Sequence, residues 1–232
     1  MPVYRLPREP LFPPASEAEP SGLLAVGGDL SPERLLAAYS EGIFPWYSEG
    51  EPLLWFSPDP RTVLLTDRLC PDRGMRRTLR KADFTLRLDA DFERVMSACA
   101  EQSRPGAPGT WITRDMIRAY CRLHELGLAH SAEAWEGGEL VGGVYGVSVG
   151  AYFAGESMFH RRSGASIAAL VALLLQLRAW GVTLFDCQTY SAHVARLGAE
   201  AWTRRRFIHE LRRAWHKPTR RGIWSFDATF TV

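Results

Sequence analysis

The first regular stretch begins at Ser31-Pro32-Glu33, where a serine suited to capping and a proline suited to a first helical turn precede Leu35, Leu36 and Tyr39 at helical spacing. Gly42 ends that helix. From 43 to 60 the aromatics of Ile43-Phe44-Pro45-Trp46-Tyr47 and Leu53-Leu54-Trp55-Phe56 lie between prolines and glycines, which predicts a rigid loop-built surface or a short hairpin. Further on, 84–88 reads as a strand, and Phe92, Val95, Met96 and Cys99 line one face of a helix. Residues 102–109 read as a loop bearing Pro and Gly. Thr113 can cap the next helix, with Met116, Ile117, Tyr120 and Leu123 inward and Gly127 as its stop. Strands over 131–135, 140–147 and 150–159 are separated by glycine-bearing turns. A helix over 165–180 is apolar nearly all round, which predicts burial on both sides, and Gly181 closes it before a strand over 183–188.

The segments 152–156, 165–180 and 183–188 make a β-α-β unit with parallel strands and a right-handed crossover. Such a unit brings both strand ends and the helix N-terminus to one sheet edge, where open sheets hold ligands. Glu156, Asp186 and Gln188 should meet there, beside backbone N–H groups near Ser166 that suit an anion. On a regular strand Asp186 and Gln188 share a face and Cys187 takes the other. A carboxylate beside an amide, with a second carboxylate opposite, can hold a cationic group and position an attacking amine. Ion pairs with nearby arginines, or a capped strand end, would use the same residues. A serine nucleophile is disfavoured, because Gly155-Glu156-Ser157-Met158-Phe159 lacks the second glycine of a nucleophile elbow.

Composition fits an ordinary globular protein long enough to bury a real core: 232 residues, 46% hydrophobic, 23% charged, net charge +2. No apolar run approaches the roughly 20 residues of a membrane-spanning helix. The N-terminus lacks the apolar stretch and cleavage site of a signal peptide, so a cytoplasmic protein without a membrane partner is expected. Cys70, Cys99, Cys121 and Cys187 form no C-x-x-C pair and read as buried thiols. The histidines show no ligand spacing, so no metal is expected, and no cofactor is assigned. Charge is uneven. Arg76, Arg77, Arg80 and Lys81 form one cluster, and Arg204, Arg205, Arg206, Arg212, Arg213, Lys217, Arg220 and Arg221 crowd the C-terminal end. Such patches suit a polyanion or a solvated surface balanced by acids.

Arg161-Arg162-Ser163-Gly164-Ala165-Ser166 resembles the R-x-x-G-x-G/A pyrophosphate loop of acyl-CoA-dependent N-acyltransferases of the GNAT type, whose central order of strand, loop, helix and strand is also present. Longer stretches carry a second resemblance. They are Gly22-Leu23-Leu24-Ala25-Val26-Gly27-Gly28-Asp29-Leu30-Ser31-Pro32, Gly42-Ile43-Phe44-Pro45-Trp46-Tyr47, Trp55-Phe56-Ser57-Pro58-Asp59-Pro60-Arg61, Gly109-Thr110-Trp111-Ile112-Thr113 and the tripeptide Asp186-Cys187-Gln188. With "YCRLHELG", "LVGGVYG" and "GESMF", these resemble the leucyl/phenylalanyl-tRNA–protein transferases over nearly the entire chain.

That resemblance implies an α+β protein, a small N-terminal domain (1–62) packed on a GNAT-like domain with a mixed sheet (63–232), monomeric and using aminoacyl-tRNA in place of acyl-CoA. It implies an aminoacyltransferase that moves leucine or phenylalanine, and less readily methionine, onto proteins with N-terminal Arg or Lys, giving a degradation signal. Asp186, Gln188 and Glu156 would be catalytic, with Gln188, oriented by Asp186, as base or positioning group. Positioning is preferred because a neutral amide is a poor base. Trp46 and Trp111 would stack on the 3′-terminal adenosine, and Val144, Phe153, Leu170 and Phe185 would form the aminoacyl side-chain pocket. Arg76, Arg77, Arg80 and Lys81 would meet tRNA phosphates. Two positions depart from the family: Gly164-Ala165-Ser166-Ile167 stands where Asp-Ala-Ser-Lys is common, and His160 replaces a small residue. An acetyl-CoA-dependent enzyme and a non-catalytic tRNA-binding module are the alternatives.

Overall fold

The computed structural model describes residues 3–81, 83–102 and 111–230, so most of the expected 102–109 loop, with Gly109 and Thr110, lies outside the described residues. The N-terminal part is a four-stranded sheet of β1 (Tyr4–Arg5), β2 (Leu23–Val26), β3 (Phe44–Pro45) and β4 (Leu54–Phe56), ordered β1-β2-β4-β3, with helix α1 (Pro32–Ser40) between β2 and β3. Of the two readings of 43–60 the hairpin holds, because β3 and β4 pair antiparallel. Ser31 caps α1 by accepting the Arg34 N–H at 3.4 Å.

A seven-stranded sheet follows. Its order is β11-β5-β10-β9-β8-β7-β6, from β5 (Arg61–Leu65), β6 (Thr85–Leu88), β7 (Ala129–Glu136), β8 (Glu139–Val149), β9 (Tyr152–His160), β10 (Leu184–Gln188) and β11 (Glu200–Trp202). The helices are α2 (Arg73–Lys81), α3 (Phe92–Glu101), α4 (Arg114–Glu125), α5 (Ala165–Ala179), α6 (Ala192–Ala195) and α7 (Arg204–Trp215). Among the described residues only β9 and β10 pair parallel within this sheet, which makes it mixed and the fold α+β. No described helix is long and apolar enough to cross a membrane.

The period-two alternation of the strands divides the core into two layers. Tyr145, Tyr152 and Ala154 face one layer with α1, α3, α4 and α7; Val144, Phe153 and Phe185 face the other with α5. The first three turns of α5 are buried all round, as expected, because Met75 of α2 and Trp224 of the C-terminal tail join the layer that α5 fills. Gly142 lets α5 come this close, since a Cβ there would stand 2.6 Å from the Ala165 Cβ. The thiols are not all buried. Cys99 is, Cys121 and Cys187 are half-buried, and Cys70 is exposed because it lies in the turn before α2 rather than on an element face.

Candidate active site

Two strand irregularities build the site. Between β8 and β9, Gly146 pairs with Gly155 and Tyr145 with Ser157, so Glu156 is an extra residue in β9. Between β10 and β5, Asp186 pairs with Val63 and Gln188 with Thr62, so Cys187 is extra. Bulges re-aim side chains, and these aim Glu156 and Gln188 at each other across the gap between β9 and β10. Gln188 Nε2 donates to Glu156 Oε1 at 2.8 Å. Gln188 takes a left-handed backbone, φ 60°, which a non-glycine residue holds only against a steric cost. The main-chain N–H of Gln188 donates to Asp186 Oδ1 at 2.8 Å, a turn closed two residues back along the chain.

Asp186 therefore does not share the cleft with Gln188, contrary to the regular-strand expectation. Its carboxylate is fully buried and takes Arg61 in two bonds, Nε to Oδ1 at 2.8 Å and Nη2 to Oδ2 at 2.6 Å, with the Tyr152 hydroxyl donating to Oδ2 at 2.8 Å. The Arg61 guanidinium lies between the rings of Phe44 and Phe207, 4.8 and 4.6 Å from their centroids, and its Nη1 donates to the Gly42 carbonyl at 3.1 Å. One buried cation thus ties the Gln188 turn to the segment that carries Phe44 and Trp46.

Glu156 Oε1 also accepts from the Tyr39 hydroxyl at 2.7 Å, and the Tyr39 and Tyr120 hydroxyls meet at 2.5 Å. Burial holds both phenols well above their ordinary range, so they act as neutral donors. Glu156 Oε2 is buried with no hydrogen-bond partner. Burial pushes the Glu156 carboxyl up to about 7, against the partial relief its Tyr39 bond gives.

A cavity of about 420 Å³ opens over this pair, walled by Phe44, Pro45, Trp46, Trp111, Glu156 and Gln188. Trp46, packed edge-on against Phe56 at 5.6 Å, keeps 47% of its surface exposed, and Trp111 is half-buried. Indoles at the mouth of a cavity floored by a carboxylate and an amide suit a planar base and a cationic or amine group.

Other expected residues lie apart from this cavity. Val144, Phe153, Leu170 and Phe185 are buried together in the α5 layer, with Phe153 and Phe185 stacked at 5.4 Å. They are packed against one another and line none of the cavity wall; Gly155 marks the join, since a Cβ there would meet the Phe185 ring at 2.7 Å. The first turn of α5 also misses the cavity. Its Ser166 N–H lies 2.8 Å from where a Gly142 Cβ would stand, against β8 rather than at the β9–β10 gap. In α2, Arg76 and Arg77 are both exposed, and Arg76 Nε donates to the Pro71 carbonyl at 2.8 Å; the side chains of Arg80 and Lys81 lie outside the described residues. The histidines show no ligand spacing along the chain, yet His124 and His130 come together with Asp89, their ligand atoms within 4.8 Å of one another. His130 Nδ1 bonds Asp89 Oδ2 and His124 Nδ1 the Ala129 carbonyl, each at 2.8 Å, while His130 Nε2 is buried with no hydrogen-bond partner. Sequence reading missed Tyr39, Tyr120, Tyr152 and Arg61 as site residues. The available signal was tyrosine on otherwise apolar faces, because a buried phenol needs a partner.

Residues 63–212 match the leucyl/phenylalanyl-tRNA protein transferase family and residues 28–59 the N-terminal domain of the same family. A leucyl/phenylalanyl-tRNA–protein transferase of Myxococcus xanthus is 55% identical over 98% of both chains. One from Anaeromyxobacter dehalogenans is 54% identical over 98% of both, and one from Syntrophus aciditrophicus 53% over 97% of this chain and 94% of that one. Solved structures match distantly. A GCN5-related N-acetyltransferase-like protein from Streptococcus suis gives 16% identity and a TM-score of 0.36 over 70% of this chain and 60% of the other. L-PGS from Bacillus licheniformis gives 13% and 0.40 over 82% and 60%. The matches to both family models and the full-length identities above one half show that the chain belongs to the leucyl/phenylalanyl-tRNA protein transferase family, a family of aminoacyltransferases.

Proposed function

We propose that this protein moves leucine or phenylalanine, and less readily methionine, from aminoacyl-tRNA to the α-amine of proteins that begin with Arg or Lys, as a cytoplasmic monomer whose products are marked for degradation. The observation that carries this reading is the Glu156–Gln188 pair at 2.8 Å under two tryptophans in one cavity. The 3′ adenosine stacks at Trp46 and Trp111. The acceptor amine attacks the ester carbonyl, a C–N bond forms, the C–O bond to ribose breaks, and the amine proton ends on the ribose oxygen. Because Gln188 Nε2 is committed to Glu156, its Oε1 is left to accept an N–H of the amine and hold it in line. Glu156 Oε2, buried without a partner, attracts the cationic acceptor. The ester is already activated, so proximity and electrostatics supply most of the catalysis. Asp186 and Arg61 hold Gln188 in place and do not touch substrate.

Incubation with leucyl-tRNA and an Arg-starting peptide, alongside acetyl-CoA and the same peptide, tests the reading. Leucyl-peptide is expected from the first. Acetyl-peptide alone would end it.

The Glu156 carboxyl gives a pH prediction. Its folded value of about 7 lies above the ordinary 4.5, so the folded state keeps a proton that the unfolded chain has released. This group's stabilising contribution is therefore present at low pH and lost between about 4.5 and 7. Activity that needs the carboxylate runs the other way, and kcat/KM is expected to rise through about pH 7. Glu156→Gln should remove that inflection, lower activity, and raise Tm at pH 8; an unchanged profile in the variant would assign the titration to another group.

The side-chain pocket is proposed to open among Val144, Phe153, Leu170 and Phe185 when the aminoacyl group enters behind Gly155. Enlarging Val144 or Leu170 should then shift preference from phenylalanine towards leucine by about 1 to 3 kcal/mol per methylene. Competition between the two charged tRNAs measures it, and an unchanged ratio rejects the location.

A further inference from the structure

A second cavity, of about 850 Å³, runs along the outer side of α7 against residues 14–16 and Glu41. Its α7 wall carries Arg204, Arg205, Arg212 and Arg213, against the two acids Glu41 and Asp59. Both acids are already engaged. Glu41 pairs with Arg212 at 3.1 Å, and Asp59 accepts the Arg204 main-chain N–H at 3.2 Å. Arg205 is exposed and makes no ion pair within 4.0 Å among the described residues. We propose that this groove holds backbone phosphates of an RNA strand, those leading to the 3′ adenosine at Trp46 and Trp111; the proposal rests on the transfer reading above.

Three observations point to an anion here. Arg204, Arg205 and Arg206 fill the first turn of α7, which has no acidic residue, although the positive end of the helix dipole favours Asp or Glu at that place. The Arg204 N–H is met by Asp59 and the Arg206 N–H by the Thr203 cap, and the Arg206 guanidinium lies over Trp202, so the charge this turn turns to the groove is that of Arg204 and Arg205. Second, Arg204 is 8% exposed; its Nη1 donates to the Ala15 carbonyl at 3.0 Å, but its Nε is buried with no hydrogen-bond partner, so a charge only partly satisfied is held in this wall. Third, the groove adjoins the candidate site. Only Gly42 and Ile43 separate Glu41 from Phe44 of the other cavity, a span of at most about 10 Å. Phe207, on the inner side of α7, packs on the Arg61 guanidinium that also lies over Phe44. From Arg204 to Trp215 the helix runs about 18 Å, longer than one nucleotide, and arginines spaced along it, beside His209 and His216, fit contacts to successive backbone phosphates.

The test is the double variant Arg205→Gln/Arg213→Gln, whose side chains are exposed and lie outside the Glu156–Gln188 cavity. Its KM for leucyl-tRNA is expected to rise about tenfold at fixed kcat. Arg213 pairs with Glu210 at 3.3 Å and must leave it to meet a phosphate, so the slope of log affinity for uncharged tRNA against log salt should flatten by up to about 1.4 to 1.8, the value for two phosphates no longer neutralised. With leucyl-adenosine, which has no upstream phosphates, KM should match the unaltered protein. An unchanged KM and salt slope, an equal loss with both donors, or a change confined to the peptide acceptor's KM would each overturn the proposal, the last by assigning the groove to a protein partner. Should the unaltered protein use neither donor, the transfer reading fails, and the salt slope alone still decides the groove.

Discussion

Arg61→Met is expected to destabilise the protein by about 3 to 5 kcal/mol, because it leaves the Asp186 carboxylate buried and uncompensated. Both side chains of this pair are essentially inaccessible, 1% and 0%, so water cannot take over from the lost cation. For a chain of this size the change corresponds to a fall in Tm of roughly 6 to 20 °C. Adding Asp186→Leu should restore most of that loss, since an apolar pair of similar volume often matches a buried ion pair in stability. Activity should not return with it. The double variant removes the acceptor that Asp186 Oδ1 offers to the Gln188 N–H, and the left-handed turn at Gln188 relaxes. Thermal melts of the three variants measure the first part and turnover by the double variant the second. A stable Arg61→Met, or an active double variant, would contradict the role assigned to the pair. Asp186→Ala should lose folding and turnover together, because it leaves the Arg61 cation buried and unpaired.

Gln188→Ala is the second large effect. Its side chain makes one hydrogen bond, to Glu156, and otherwise faces the cavity, so the fold should tolerate its loss to within about 1 kcal/mol. Turnover should fall by about 10² to 10³-fold, the scale set by removing one group that orients and stabilises the reacting centre. Donor affinity should stay close to that of the unaltered protein, because the base stacks on Trp46 and Trp111. Single-turnover rates with saturating leucyl-tRNA separate the two quantities. A fall in donor affinity with the rate constant intact would move Gln188 from the reacting centre to the donor site.

The segments with strong period and clear punctuation were legible in the sequence. Ser31 and Thr113 cap their helices as expected, each accepting an N–H three residues on. The all-apolar run after Gly164 is the buried helix between two parallel strands. Helix α7 carries Phe207, Ile208, Leu211, Ala214 and Trp215 at helical spacing on its core side, a signal that its five arginines, read as a basic cluster, masked. Strand β5 is five residues long and follows the Ser57-Pro58-Asp59-Pro60 turn, too short for its pairing with β10 to be read locally. The site was half legible for a related reason. Its acidic and amide residues could be placed at a strand end, but alternation fails where an extra residue enters, and neither Glu156 nor Cys187 carries a local sign of the bulge. The group that occupies Asp186 is 125 residues away in sequence, so no spacing argument could have withdrawn that carboxylate from the cleft.

A structure of the protein with a non-hydrolysable leucyl-adenosine amide tests the central claim most directly. The account predicts the adenine against the indoles of Trp46 and Trp111, the leucyl carbonyl beside Gln188 Oε1, and the leucyl side chain entering behind Gly155. Adenosine bound away from both tryptophans, with the Glu156–Gln188 pair empty, would contradict it.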